Sequence, residues 1–198
     1  EGQLPLSANT NTIGSSLQKN GYATGAFGKW GLGGPESVGQ PNKQGFDTFY
    51  GYLCQRVAHN YYPTHLWNNE TKEMLEGNES WFSAHEKLDV EPETYDRFSA
   101  KTYAPDRILE EAVTFIDDHA KEPFFLYFAS TIPHLALQIP DEELDVYPES
   151  WDTKPYLGDK GYLPHPRPRA AYAAMITRFD AEVGAIVKAL KDNNVADN

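Results

Sequence analysis

The chain has 198 residues, 40% of them hydrophobic and 13% aromatic, which is enough to bury one sizeable core and too apolar for a disordered chain. Its 17 basic residues against 29 acidic ones leave a net charge of −12; that argues against non-specific nucleic-acid binding, but not against an anionic substrate held in one local cationic pocket. Cys54 is the only cysteine, so no internal disulfide can form, and no apolar run approaches the roughly 20 residues of a membrane helix.

In chain order, Glu1 to Asn9 reads as a loop without a signal-peptide pattern. Asn11 or Thr12 can cap a short helix through about Lys19, with Ile13 and Leu17 on one face. Tyr22 to Phe27 reads as a strand that runs into a glycine-rich turn with Lys29 at its head. Gly34 to Gly45 is loop, and Phe46 to Tyr52 carries aromatic residues toward a core edge. Residues 53–67 mix polar and aromatic groups without periodicity, as pocket-lining segments do. From Trp67 to about Tyr103 the chain is polar and irregular, with hairpin or insertion character around Asn68 to Trp81; Asn69 and Asn78 head glycosylation tripeptides.

Ala104 to His119 reads as a helix: Pro105 suits its first turn, and Ile108, Leu109, Ala112, Val113 and Ile116 form its apolar stripe. Phe124 to Ala129 is a continuous apolar run, as expected of a strand covered on both faces in a parallel sheet. Ile139 to Pro168 reads as a long surface excursion. Pro168 then opens a helix to about Asp192, whose stripe of Tyr172, Ile176, Phe179, Val183, Ile186, Val187 and Leu190 is expected to pack into the core. Strand, helix and strand in this order predict an α/β layer architecture in one domain, residues 1–198.

Two segments carry chemistry. Lys29 is the only positive charge between Lys19 and Lys43, and in an open α/β sheet it would lie at the ligand-binding carboxyl edge of the strands. On spacing alone it reads as a solvated lysine on a tight connection. Ser130-Thr-Ile-Pro-His134 follows directly on the apolar strand, so His134 is predicted on the same rim, although on its own it reads as a loop histidine satisfied by carbonyls. The stretch Gly21-Tyr-Ala-Thr-Gly-Ala-Phe-Gly-Lys-Trp-Gly-Leu-Gly33 resembles the second signature of the sulfatase family, in the alkaline-phosphatase-like superfamily. Pro-Phe-Phe-Leu-Tyr-Phe-Ala-Ser-Thr-Ile-Pro-His134 is similar to that family's sulfate-binding Pro-His segment.

The resemblance implies a partial α/β/α sandwich with a mostly parallel sheet, lacking its N- and C-terminal parts. It implies that Lys29 and His134 are catalytic, holding the sulfate and assisting the leaving group. The family has a histidine where this chain has Gly31, and His59 is the candidate to supply part of that contact; Trp30, Gln55, Asn60 and Tyr61 are further substrate-binding candidates. His65, His85, His119 and His165 read as ordinary surface or loop residues. The family's nucleophile is a formylglycine made in a Cys/Ser-x-Pro-x-Arg motif, and Cys54 does not fit because Arg56 and Ala58 stand at the proline and arginine positions. Its Ca2+ ligands are an Asp-Asp and an Asp-Asn pair; Asp117-Asp118 reads as a solvated helix end and Asp197-Asn198 as a turn, so no metal ligand is assigned here. The expected reading is a slice of a sulfatase acting on an aryl or carbohydrate sulfate, periplasmic or secreted and inactive alone. The alternatives are a phosphodiesterase or phosphonate hydrolase, or a non-catalytic anion-binding relic.

Overall fold

The computed structural model describes residues 4–85 and 92–197. Thr12 opens α1 (Ile13–Lys19) through a reciprocal cap: its hydroxyl accepts from the Ser15 amide, and the Ser15 hydroxyl accepts from the Thr12 amide. Strand β1 (Ala23–Lys29) follows, starting at Ala23 rather than Tyr22 and continuing past Phe27 to Lys29. It is held between two parallel neighbours, β2 (Thr48–Tyr52) and β5 (Phe124–Ala129). An antiparallel hairpin, β3 (His65–Asn68) and β4 (Thr71–Met74), completes a five-stranded sheet in the order β4-β3-β2-β1-β5. The hairpin thus begins at His65, ahead of the predicted Asn68.

Between β4 and β5 the chain forms α2 (Ala104–His119), which packs Ile108, Ala112 and Phe115 onto Phe27, Tyr50 and Leu66 of the sheet. The rings of Phe27 and Phe115 meet at 5.5 Å. Ala26, Phe46, Phe49 and Leu53 cover the opposite face, with α1 seated against Phe46. Asp47 ties α1, β1 and β2 together: its carboxylate accepts from the Gln18 amide, the Thr24 hydroxyl and the Thr24 backbone. The last helix, α3 (Pro168–Asp192), lies against α2 over a second core built from Tyr61, Tyr103, Ile132, Ile139 and Met175. Its first turn has no cap from its own N-terminal residue; the Asp152 carboxylate, far along the excursion, accepts from the amides of Arg169 and Ala170 instead.

Four expectations need correction. β5 is not covered on both faces: it has one neighbour in the sheet, and Tyr127 is 44% exposed. The apolar stripe of α3 does not fill the core. Tyr172, Ile176, Phe179, Val183 and Val187 face outward, while the small residues Ala170, Ala171 and Ala174, with Met175, make the contact because they let α3 approach closely. The segment from Ile139 to Pro168 is not simply a surface excursion, since Ile139, Leu163 and His165 are buried. Asn78 is buried too, its amide donating to the carbonyls of Pro63 and Thr102, so the folded chain does not present it for glycosylation. Of the predicted irregular stretch, 86–91 lies outside the described residues, as do 1–3 and Asn198. No helix among the described residues is long and apolar enough to cross a membrane.

Candidate active site at the carboxyl edge of the parallel strands

Because β1, β2 and β5 are parallel, their carboxyl ends share one edge, closed by the paired residues Lys29 and Tyr52 and by Ala129 opposite Gly28. Three connections leave from there. Lys29 ends β1; the segment after Tyr52 makes a short 3-10 turn, Val57–His59; the segment after Ala129 leads to His134. The side chains of Lys29 and His134, 105 positions apart, meet around His59. Lys29 Nζ lies 2.9 Å from His59 Nε2, and the His59 and His134 rings stack at 4.0 Å, only 3° from parallel. His59 Nδ1 lies 2.5 Å from His85 Nε2, and the Tyr162 ring sits 5.0–6.0 Å from all three imidazoles.

These contacts specify where the protons are. An ammonium only donates, so Lys29 gives a proton to His59 Nε2. His59 Nδ1 must then carry hydrogen and donates to His85 Nε2, and the His85 ring bonds in turn to the backbone of Arg56. Burial, then the Lys29 charge and the neighbouring His134 and His85, push the His59 pKa down to about 3, which keeps it neutral as this chain requires. Burial also lowers Lys29 from the ordinary lysine value. His134 is exposed; its Nδ1 donates to the Leu135 carbonyl at 2.6 Å, which leaves Nε2 open to a ligand. The arrangement offers an anion an ammonium and an imidazole from two sides, backed by a neutral, oriented ring.

The loop bearing His134 is clamped from behind. The Tyr61 hydroxyl lies 2.7 Å from the carbonyls of both Thr131 and His134. Ser130 accepts from the Ile132 amide and donates to Glu182 of α3 at 2.7 Å. Glu182 is 2% exposed, and burial raises its pKa from the ordinary 4.5 to about 7. Its folded-state pKa lies above the unfolded one, so its contribution to stability is complete below pH 4.5 and is lost as pH rises to about 7. A shift of that size corresponds to about 3 kcal/mol. In the full-length protein, Glu182→Gln keeps an acceptor for Ser130 and is expected to abolish this part of the loss; urea midpoints of both proteins at pH 5 and 8 measure it. An equal decline in both proteins would rule the account out.

Of the sequence candidates, Lys29, His59 and His134 come together. Asn60 lines an adjacent cleft, but its amide is spent on the Phe82 carbonyl and the Tyr62 amide. Gln55 is exposed and outside that lining. Tyr61 is fully buried and touches no ligand space; its place is behind the His134 loop. Trp30, half-buried, donates to the Gly39 carbonyl and packs edge-on against Phe46. His85, read as an ordinary loop residue, belongs to the cluster; it sits in a segment with no periodicity or motif, and only the folded chain brings it to His59. His165 is fully buried rather than exposed, and His65 is half-buried in the cleft. Gly31 has φ +82°, a left-handed conformation that a histidine adopts only under strain, so here the backbone and the missing imidazole go together.

Among the described residues no group of three or more His, Cys, Asp or Glu could hold a metal ion. A sulfatase family model matches residues 4–198. This chain belongs to the sulfatase family. The sulfatase-family chain is 26% identical over 186 residues to human N-acetylgalactosamine-6-sulfatase, covering 92% of this chain and 29% of that protein. It is 27% identical over 202 residues to mouse arylsulfatase G, covering 93% and 33%. It superposes on the crystal structure of Ps i-CgsB in complex with k-i-k-neocarrahexaose with a TM-score of 0.73 and 28% identity, over 100% of this chain and 40% of that one. The expected alkaline-phosphatase-like α/β fold is therefore present, and the chain spans about a third of the length of these curated sulfatases.

Proposed function

We propose that the full-length protein hydrolyses a sulfate ester, with Lys29 and His134 as the groups of this chain that touch the substrate. What carries the reading is the convergence of Lys29, His59 and His134 on the open edge of the sheet. A sulfate ester builds negative charge on its leaving oxygen as the S–O bond breaks. Lys29 has two ammonium hydrogens beyond the one given to His59, and can hold a sulfate oxygen and the leaving oxygen. Protonated at Nε2, His134 can donate to the leaving oxygen. Neutral His59 aims Lys29 without adding a competing positive charge. A formylglycine nucleophile and a calcium ion would be contributed by residues beyond this chain. The chain alone is then inactive, and the full-length enzyme is periplasmic or secreted.

The test is turnover by the full-length protein of 4-nitrocatechol sulfate against the matching phosphate mono- and diesters. Preference for the phosphate diester would favour the phosphodiesterase reading, and sulfate binding without turnover the relic. His59→Ala supplies a further check. Lys29 is lowered by burial, so the alkaline limb of kcat/KM is expected to lie below 10.5, and opening the site to water by removing His59 should move it upward. The variant should also lose about tenfold in kcat/KM, because an unaimed ammonium is a poorer donor. An unchanged profile and unchanged kcat/KM would remove His59 from the site.

A further inference from the structure

Beside the histidine cluster opens a cleft of about 910 Å3, reached past His85, whose imidazole lines the cleft and contacts His59. Its walls differ from the rest of the molecule. The chain carries 29 acidic residues, yet among the described residues lining this cleft none is Asp or Glu, while Arg56 and Lys72 are both present. Two indoles share the lining: Trp67, with Lys72 Nζ 5.6 Å above its ring, and Trp81, 55% exposed.

From this lining we infer that the cleft is an extended saccharide site, which takes the sugar next to the one bearing the scissile sulfate and reads a second anionic group on it. This rests on the sulfatase reading for the identity of the reacting group only. An exposed indole face matches the flat C–H face of a pyranose, and it loses little conformational freedom on binding because the ring is rigid. A lysine stacked on the second indole is held over the cleft, where it can pair with a sulfate or carboxylate of the same chain. With no carboxylate among the described lining residues, in a chain of net charge −12, that anion meets no like charge from them. A bare aryl sulfate would sit at Lys29 and His134, which are outside the cleft lining, and leave this cleft to water.

Calorimetry on the full-length protein tests the inference, with chondroitin sulfate and carrageenan tetrasaccharides as probes and galactose 6-sulfate as the one-sugar reference. At least one tetrasaccharide is expected to bind tenfold or more tightly than the monosaccharide, and less tightly as salt rises. Trp81→Ala and Lys72→Ala each remove an exposed side chain and are expected to weaken tetrasaccharide binding about tenfold while leaving kcat/KM for 4-nitrocatechol sulfate within about twofold. Tetrasaccharides that bind no better than the monosaccharide, variants that bind them normally, or variants that lose both activities alike would each overturn the inference. A protein that turns over no sulfate ester, but binds a tetrasaccharide and loses it in these variants, would keep the saccharide site and remove the catalytic reading.

Discussion

Lys29→Ala in the full-length protein is expected to lower kcat/KM for a sulfate ester by about 10³-fold, the upper end for removing one preorganised donor at a developing oxyanion. The loss should fall mainly on kcat, because the ammonium meets more negative charge in the transition state than in the bound ester. Lys29 is half-buried and makes its side-chain bond to His59, so the variant should melt close to the parent. Losing the ammonium also removes the second-largest influence holding His59 down, and the His59 pKa is expected to climb from about 3 toward the ordinary 6.5, which NMR titration of the ring would record. Lys29→Arg should not rescue, because a planar guanidinium cannot point one proton at His59 Nε2 and two more at a tetrahedral anion from the same position. His134→Ala is expected to cost about 10²-fold, since His134 shares the anion and is the more exposed of the two. A loss of less than tenfold for Lys29→Ala would mean that the ammonium faces no reacting group.

The largest structural effect is expected at Gly28. It lies within β1 at φ +114°, and a Cβ there would stand 2.0 Å from the Ala129 carbonyl oxygen on the paired strand. Neither atom can yield: both are backbone in a parallel ladder, and Ala129 precedes the Ser130 that Glu182 anchors. Gly28→Ala must therefore pry β5 from β1 or distort the turn carrying Lys29. The expected cost is about 4 kcal/mol or more, seen as a lowered thermal midpoint or as loss of soluble protein. Gly34→Ala is the control, because nothing lies within 4 Å of its added methyl group. If Gly28→Ala melted like Gly34→Ala, the close approach of the two strands would be wrong.

Much of this arrangement is legible in the residues. α2 and α3 each carry a proline in the first turn and keep an apolar period of three and four, and Phe124 to Ala129 is an unbroken apolar run; these elements stand where the pattern puts them. Placing Lys29 and His134 on one rim needed only the inference that their strands run parallel, which the sheet bears out. His85 had no such signal, because its segment has no period and its partner is 26 positions away. The facing of α3 departs from its pattern for a different reason. Its alanines and its large apolar residues both recur at helical spacing, and a hydrophobicity pattern cannot say that the small ones win the contact by letting two helices close up. Glu182 could not be recognised as the brace behind the His134 loop, since in a helix of mixed polarity it looks like any solvated acid.

The outward stripe of α3 has a practical bearing on how this polypeptide can be studied. A row of tyrosine, isoleucine, phenylalanine and two valines left in water on one helix is a self-adhesive strip. Preparations of these residues alone should therefore light up hydrophobic dyes and cluster as their concentration rises, and midpoints recorded on them would track that clustering rather than unfolding.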